Sequence, residues 1–172
     1  MPNHLSPLGI IHTAVSILAL LVAFFCLFKD GRISPANDRG KLYIVLTTVT
    51  CITAFPIMKT GHFTQAHVLG VMVLILIPLG MYARYIKFFR KSAEYFQVVI
   101  MSTTLFLSFV PAIVETLTRL PISQPIASGP NDTIIQTGLL TLFLLFITGV
   151  AYQLWKIRSG KKIIAPADGA VS

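Results

Sequence analysis

Five apolar runs dominate this chain, spanning residues 8–28, 42–58, 66–86, 95–117 and 133–155, with polar segments between them. Each is about 17 to 23 residues long. At about 1.5 Å per helical residue, that matches a hydrocarbon core of about 30 Å. No run alternates with the period of two that a strand needs. A helix satisfies its own backbone polar groups in lipid, whereas an open strand cannot. The expected fold is therefore all-α: an integral membrane bundle of five transmembrane helices.

Composition points the same way. Of 172 residues, 55% are hydrophobic and 12% charged, against about 25% charged in soluble domains. A soluble core of this size could not absorb so much apolar surface. The net charge of +8 raises nucleic acid as a partner, but the basic residues do not cover a face. They cluster between the runs, as topology in a membrane requires, so no nucleic acid is expected. The expected partner is the bilayer, with anionic headgroups at its cytoplasmic face.

The basic residues also set an orientation. Lys29, Arg32, Arg39 and Lys41 follow run one. Arg84, Lys87, Arg90 and Lys91 follow run three, and Lys156, Arg158, Lys161 and Lys162 follow run five. Only Lys59 and Arg119 fall on the other side. This alternation predicts an N-terminus outside and a C-terminus in the cytoplasm, in a bacterial inner membrane. Residues 1–7 carry no Lys or Arg, so no signal peptide is expected. The membrane domain is placed at residues 1–158, followed by a basic and then disordered cytoplasmic tail at 159–172. Tyr43, Tyr82, Tyr85, Tyr95, Tyr152 and Trp155 are expected as rings at the inner boundary.

Inside the runs, Pro56, Pro78 and Pro111 are expected to kink their helices and release the carbonyls of Ile52, Leu74 and Leu107. Thr47, Thr48, Thr50 and Thr53 are expected to serve helix packing. Cys26 and Cys51 have no metal-ligand spacing and are expected as buried free thiols. Asp132 is placed to cap helix five.

The ionisable residues are the candidates for a site. His12 lies early in run one, His67 at the start of run three, and Glu115 with Arg119 at the end of run four. The topology brings all four to one layer at the outer boundary, beside His62 and Lys59 in the "TGHFTQAH" turn. Three chemistries suit such a layer. His12 and His67 could be axial ligands of a haem b, with Arg119 or Lys59 at a propionate. His12, His67 and Glu115, with His62 as an optional fourth ligand, could hold a divalent metal ion. The layer could instead serve a small transporter or channel-like bundle, or a non-catalytic structural protein in which it only fixes helix packing. Nothing marks an enzyme: there is no Walker or dinucleotide glycine loop, no GxSxG and no HExxH.

The segments "GIIHTA", "DRGKLYIV", "AHVLGV" and "VPAIVETLTRLP" together resemble a family of small bacterial polytopic membrane proteins built on a domain of unknown function. The likeness extends from about Gly9 to Trp155. It implies a helical membrane protein and no particular activity. That family's pattern includes a histidine before the "RG" step. Here Ala36, Asn37 and Asp38 stand there, so no inner-side histidine role carries over. By analogy alone, the fold is faintly similar to membrane haem-b cytochromes.

Overall fold

The computed structural model of the chain describes residues 6–57, 64–83, 85 and 92–164, with the backbone alone for 161–164. It contains five helices: α1 (Pro7–Asp30), α2 (Asp38–Ala54), α3 (Gln65–Tyr82), α4 (Ala93–Arg119) and α5 (Thr133–Ile164). There is no strand among the described residues. α1, α3, α4 and α5 are long and apolar enough to cross a membrane. α2 has 17 residues and falls short of that standard.

The ends of the helices follow local chemistry more closely than hydropathy. α2 begins at Asp38, ahead of its apolar run, because Asn37 caps it. The Asn37 Oδ1 accepts the Gly40 N–H at 2.8 Å, so the polar "DRGK" turn is already helical. α2 also stops earlier than expected. Pro56 has no N–H to donate and disfavours helical backbone at the residue before it. It therefore follows the end of α2 and does not kink it, which corrects the sequence-based expectation. Pro78 and Pro111 do lie inside α3 and α4. α5 continues to Ile164, through the start of the segment expected as a tail; residues 165–172 lie outside the described residues.

Four of the helices close a ring. α1 packs on α2, α2 on α3, α3 on α4, and α4 back on α1 across the thinnest of the four seams. An edge-to-face pair, Phe24 and Phe109 with centroids 5.5 Å apart, bridges that seam. α5 packs along α4 outside the ring, with Phe106 stacked on Phe146 at 4.9 Å. Ala23, Cys26, Tyr43, Val73, Ile77 and Met101 meet in the core. Both cysteines are free and buried. Large apolar side chains such as Ile17, Val45 and Leu145 are more than half exposed on the outer faces, the surface a hydrocarbon solvent would cover.

Tyr43 overturns a second expectation. It is fully buried, with its hydroxyl 3.0 Å from Thr104 Oγ1. It is a core residue and not a boundary ring.

One end of the bundle gathers charge. Arg32 pairs with Glu94, and Asp30 accepts from Asn37 Nδ2 at 3.0 Å and pairs with Arg39 at 3.2 Å. Gly31 caps α1 in the left-handed conformation, φ +70, with its N–H on the Leu27 carbonyl. A Cβ there would fall 3.2 Å from Lys156 Nζ. The close of α1 and the late part of α5 therefore share this basic end. Arg84, Lys87, Arg90 and Lys91, and the side chains of Lys161 and Lys162, lie outside the described residues. At the distal end, Asp132 caps α5 as expected. Its carboxylate accepts the N–H groups of Ser128 and Ile134. These bonds, that of Ser128 first, hold it below the usual carboxylate range.

Gly40 has no room to grow, since a Cβ would fall 1.8 Å from the Ser34 carbonyl oxygen. Gly70 has open space around it. Gly40→Ala is expected to destabilise the protein by about 1–3 kcal/mol. Gly70→Ala should be neutral, or stabilising by up to about 1 kcal/mol through helix propensity. Thermal unfolding of both variants in detergent checks the contrast; equal midpoints would contradict it.

Candidate functional site at the distal end

The distal end is built around the last turn of α2. Thr53 and Phe55 sit there two residues apart, so they point about 200° apart around the axis. α1 approaches one side and α3 the other. On the α1 side, His12 Nδ1 lies 3.0 Å from Thr53 Oγ1. On the α3 side, the His67 ring lies 6.2 Å from that of Phe55, centroid to centroid. The two histidines thus flank α2 from different faces.

Their hydrogen bonds give them different jobs. The Thr53 hydroxyl has a single proton, directed at the carbonyls of Val49 at 2.8 Å and Thr50 at 3.0 Å. Thr53 Oγ1 therefore accepts from His12, which places the His12 proton on Nδ1 and leaves Nε2 as the basic nitrogen. Such an anchor through Nδ1 is what orients a histidine for proton exchange or ligation at Nε2. His67 is the reverse. Its Nδ1 accepts the Thr64 backbone N–H at 3.1 Å and lies 2.8 Å from the Thr64 hydroxyl. The neutral ring then carries its proton on Nε2. His67 stands at the third position of α3 and does the work of the Glu or Gln in a capping box. It is 4% exposed. A metal or haem iron at its Nε2 would have to displace that proton while the cap holds.

Glu115 belongs with His12. The carboxylate lies close enough to act electrostatically on the ring, across the α4–α1 seam. It also pairs with Arg119, one turn further along α4. Glu115, half exposed and paired with Arg119, therefore stands on the His12 side of α2 at electrostatic range, and His67 sits behind α2. His62 and Lys59 lie outside the described residues. Among the described residues, no group of three or more His, Cys, Asp or Glu side chains is placed to hold a metal ion.

Helix periodicity places Glu115 with residues that the sequence-based reading assigned to packing or the boundary (Tyr43, Thr47, Thr50) or did not single out (Thr104, Ser108). Tyr43, Thr47 and Thr50 recur at i, i+4 and i+7 on α2, and Thr104, Ser108 and Glu115 at i, i+4 and i+11 on α4. Each set falls within about 60° of arc. The two stripes face one another, since Tyr43 bonds Thr104. The signal was present in the spacing, but hydroxyls in lipid usually bond to their own helix, which makes them poor markers by themselves.

The cap assignment is testable. His67→Ala is expected to cost about 0.5–2 kcal/mol, whereas His67→Gln should retain most of the stability because its amide oxygen can accept from Thr64. Equal losses in the two variants, by thermal unfolding, would contradict the cap role.

Comparison with protein-family models, with curated proteins and with solved structures finds no match to this chain.

Proposed function

We propose that the chain is an integral membrane protein of five spans, N-terminus outside and C-terminus in the cytoplasm of a bacterial inner membrane, that moves protons through its distal His12–Glu115 cluster. α2 supports the fifth crossing. It runs from Arg39 in the basic layer to Thr53 in the distal layer, and its 17 residues reach about 26 Å. The ring of neighbours covers its polar face, so it needs less apolarity than a helix bathed in lipid. The basic layer supports the orientation by the positive-inside rule, and anionic headgroups are its natural partner. Reporter fusions at residue 35 and residue 125 check this: the first should be active on the cytoplasmic side alone and the second on the outer side alone. The opposite pattern would sink the orientation.

One observation carries the transport reading. His12, anchored through Nδ1, and the half-exposed Glu115 stand at the distal end of two facing stripes of hydroxyls on α2 and α4. Ionisable groups within a membrane domain commonly line the interior or a water-filled cavity and mark proton or ion routes. A second reading, a haem b or divalent-metal site on His12, His67, Glu115 and Arg119 with His62, is favoured by the basic Nε2 of His12 alone.

Purified protein in liposomes loaded with a pH-sensitive dye, under a potassium diffusion potential, separates these. Proton uptake above that of empty liposomes is expected. It should fall about tenfold or more in Glu115→Gln and His12→Gln, about 1.4 kcal/mol or more on the barrier. Wild-type liposomes as proton-tight as empty ones would refute proton movement. Stoichiometric haem or metal in that same protein, lost in His12→Ala, would favour the second reading.

A further inference from the structure

Hydroxyls in a lipid-embedded helix ordinarily donate to a carbonyl three or four residues earlier. Thr13, Ser16, Thr53, Thr103, Thr104 and Ser108 all do so, at 2.6–2.8 Å. Thr47 and Thr50 do not. Their Oγ1 atoms are buried and make no hydrogen bond of good geometry among the described residues, the Tyr43 hydroxyl being the polar group that faces Thr47, and Thr47 is 2% exposed. An unmet buried hydroxyl costs about 1–3 kcal/mol, and hydrocarbon offers nothing to offset it.

Both orphans point into the same place. With Tyr43 they form the inward stripe of α2, and Tyr43 reaches across the ring to Thr104 on α4. Ser108, one turn nearer the distal end, is on the same stripe of α4. Pro111 follows, and it lacks the N–H that would bond the Leu107 carbonyl. At the distal end the stripe meets His12, which bonds Thr53 and faces the Thr50 backbone, and then Glu115. Donors and acceptors therefore line one continuous strip between diagonal helices.

The spacing of the rungs is the decisive detail. Tyr43, Thr47 and Thr50 climb about 4.5–6 Å per step along the axis. The Tyr43 hydroxyl itself reaches toward Thr47 and Ser108, and between Thr47 and Thr50 two bonds of about 2.8 Å through one water span about 5.6 Å. A buried water needs two to four polar partners, and the Thr47 and Thr50 hydroxyls are two such partners. From these residues we infer that α1, α2 and α4 enclose a single-file water path, entered beside His12 and Glu115, lined by Thr50 and Thr47, and ended by the Tyr43–Thr104 hydrogen bond. Beyond Tyr43, the fully buried Cys26 and Met101 make an apolar stop. The ligand is water, with the excess proton that a water file carries. The inference rests on the proposed transport function, to which it supplies the route.

Cysteine accessibility tests it. Thr47→Cys, Thr50→Cys, Val45→Cys and Ile52→Cys are made singly in a Cys26→Ala, Cys51→Ala background. The full-length protein in liposomes is treated from both faces with a small, charged methanethiosulfonate. Val45 and Ile52 are each 56% exposed on the outer face of α2, at nearly the same depth as Thr47 and Thr50. Thiols react as thiolates, which form in water and not in hydrocarbon, so positions 47 and 50 should react about tenfold faster or more than 45 and 52. Equal rates, or no reaction at 47 and 50, overturn the path. In the unmodified chain, radiolytic hydroxyl-radical labelling should mark Tyr43 despite its burial; an unmarked Tyr43 overturns it as well. The liposome assay keeps the two ideas separable. Labelling at 47 and 50 in a proton-tight protein upholds the path and removes the transport reading. Proton flux without labelling removes the path alone.

Discussion

A hydrogen-bonding group in hydrocarbon has only the protein to bond to, and the helices are arranged around where that need is met. Along α1 and α5, and for Thr103, Thr104 and Ser108 of α4, it is met locally, because these hydroxyls return to their own backbone. Helices satisfied in this way can present any face to lipid, and α5 does so over most of its length, touching the bundle chiefly along α4. α2 differs. Its stripe of Tyr43, Thr47 and Thr50 cannot be turned outward without cost. The ring of α1, α3 and α4 encloses it, and Tyr43 finds its partner on the diagonal helix.

Charge is handled by the same logic at larger scale. Every ion pair among the described residues sits at an end of the bundle, where water or headgroups can share the field. The basic end ties the close of α1 to the starts of α2 and α4. The distal end is sparser, with His12, Glu115 and Arg119 on one side of α2 and His67 on the other. That division matters for function. A layer of histidines at matched depth is not yet a site, because α2 stands between two of them and one is held by its own helix N-terminus.

Much of the fold was legible in the residues. Run lengths and the absence of alternation predicted helices, and five helices form among the described residues. Asp132 could be read as a cap from its place before Thr133. The errors share a cause. Pro56 and Tyr43 were both read from apolarity, yet the fate of Pro56 depends on its missing N–H and that of Tyr43 on a partner 61 positions away in sequence. The start of α2 was missed because its first turn is polar, and Asn37 rather than hydropathy sets it.

The sequence by itself determined that the chain carries runs long and apolar enough to cross a membrane, that they form helices, and that its ionisable groups gather at helix ends. Those properties are sums over local windows, so composition, run length and charge placement suffice. Only the tertiary structure decided which polar groups meet. It joined His12 to Thr53 and Glu115, turned His67 into a cap, and left Thr47 and Thr50 facing α4. Those outcomes depend on the rotation of each helix about its own axis and on which helices are neighbours. Both are set by packing between segments distant in the chain, which no local window contains.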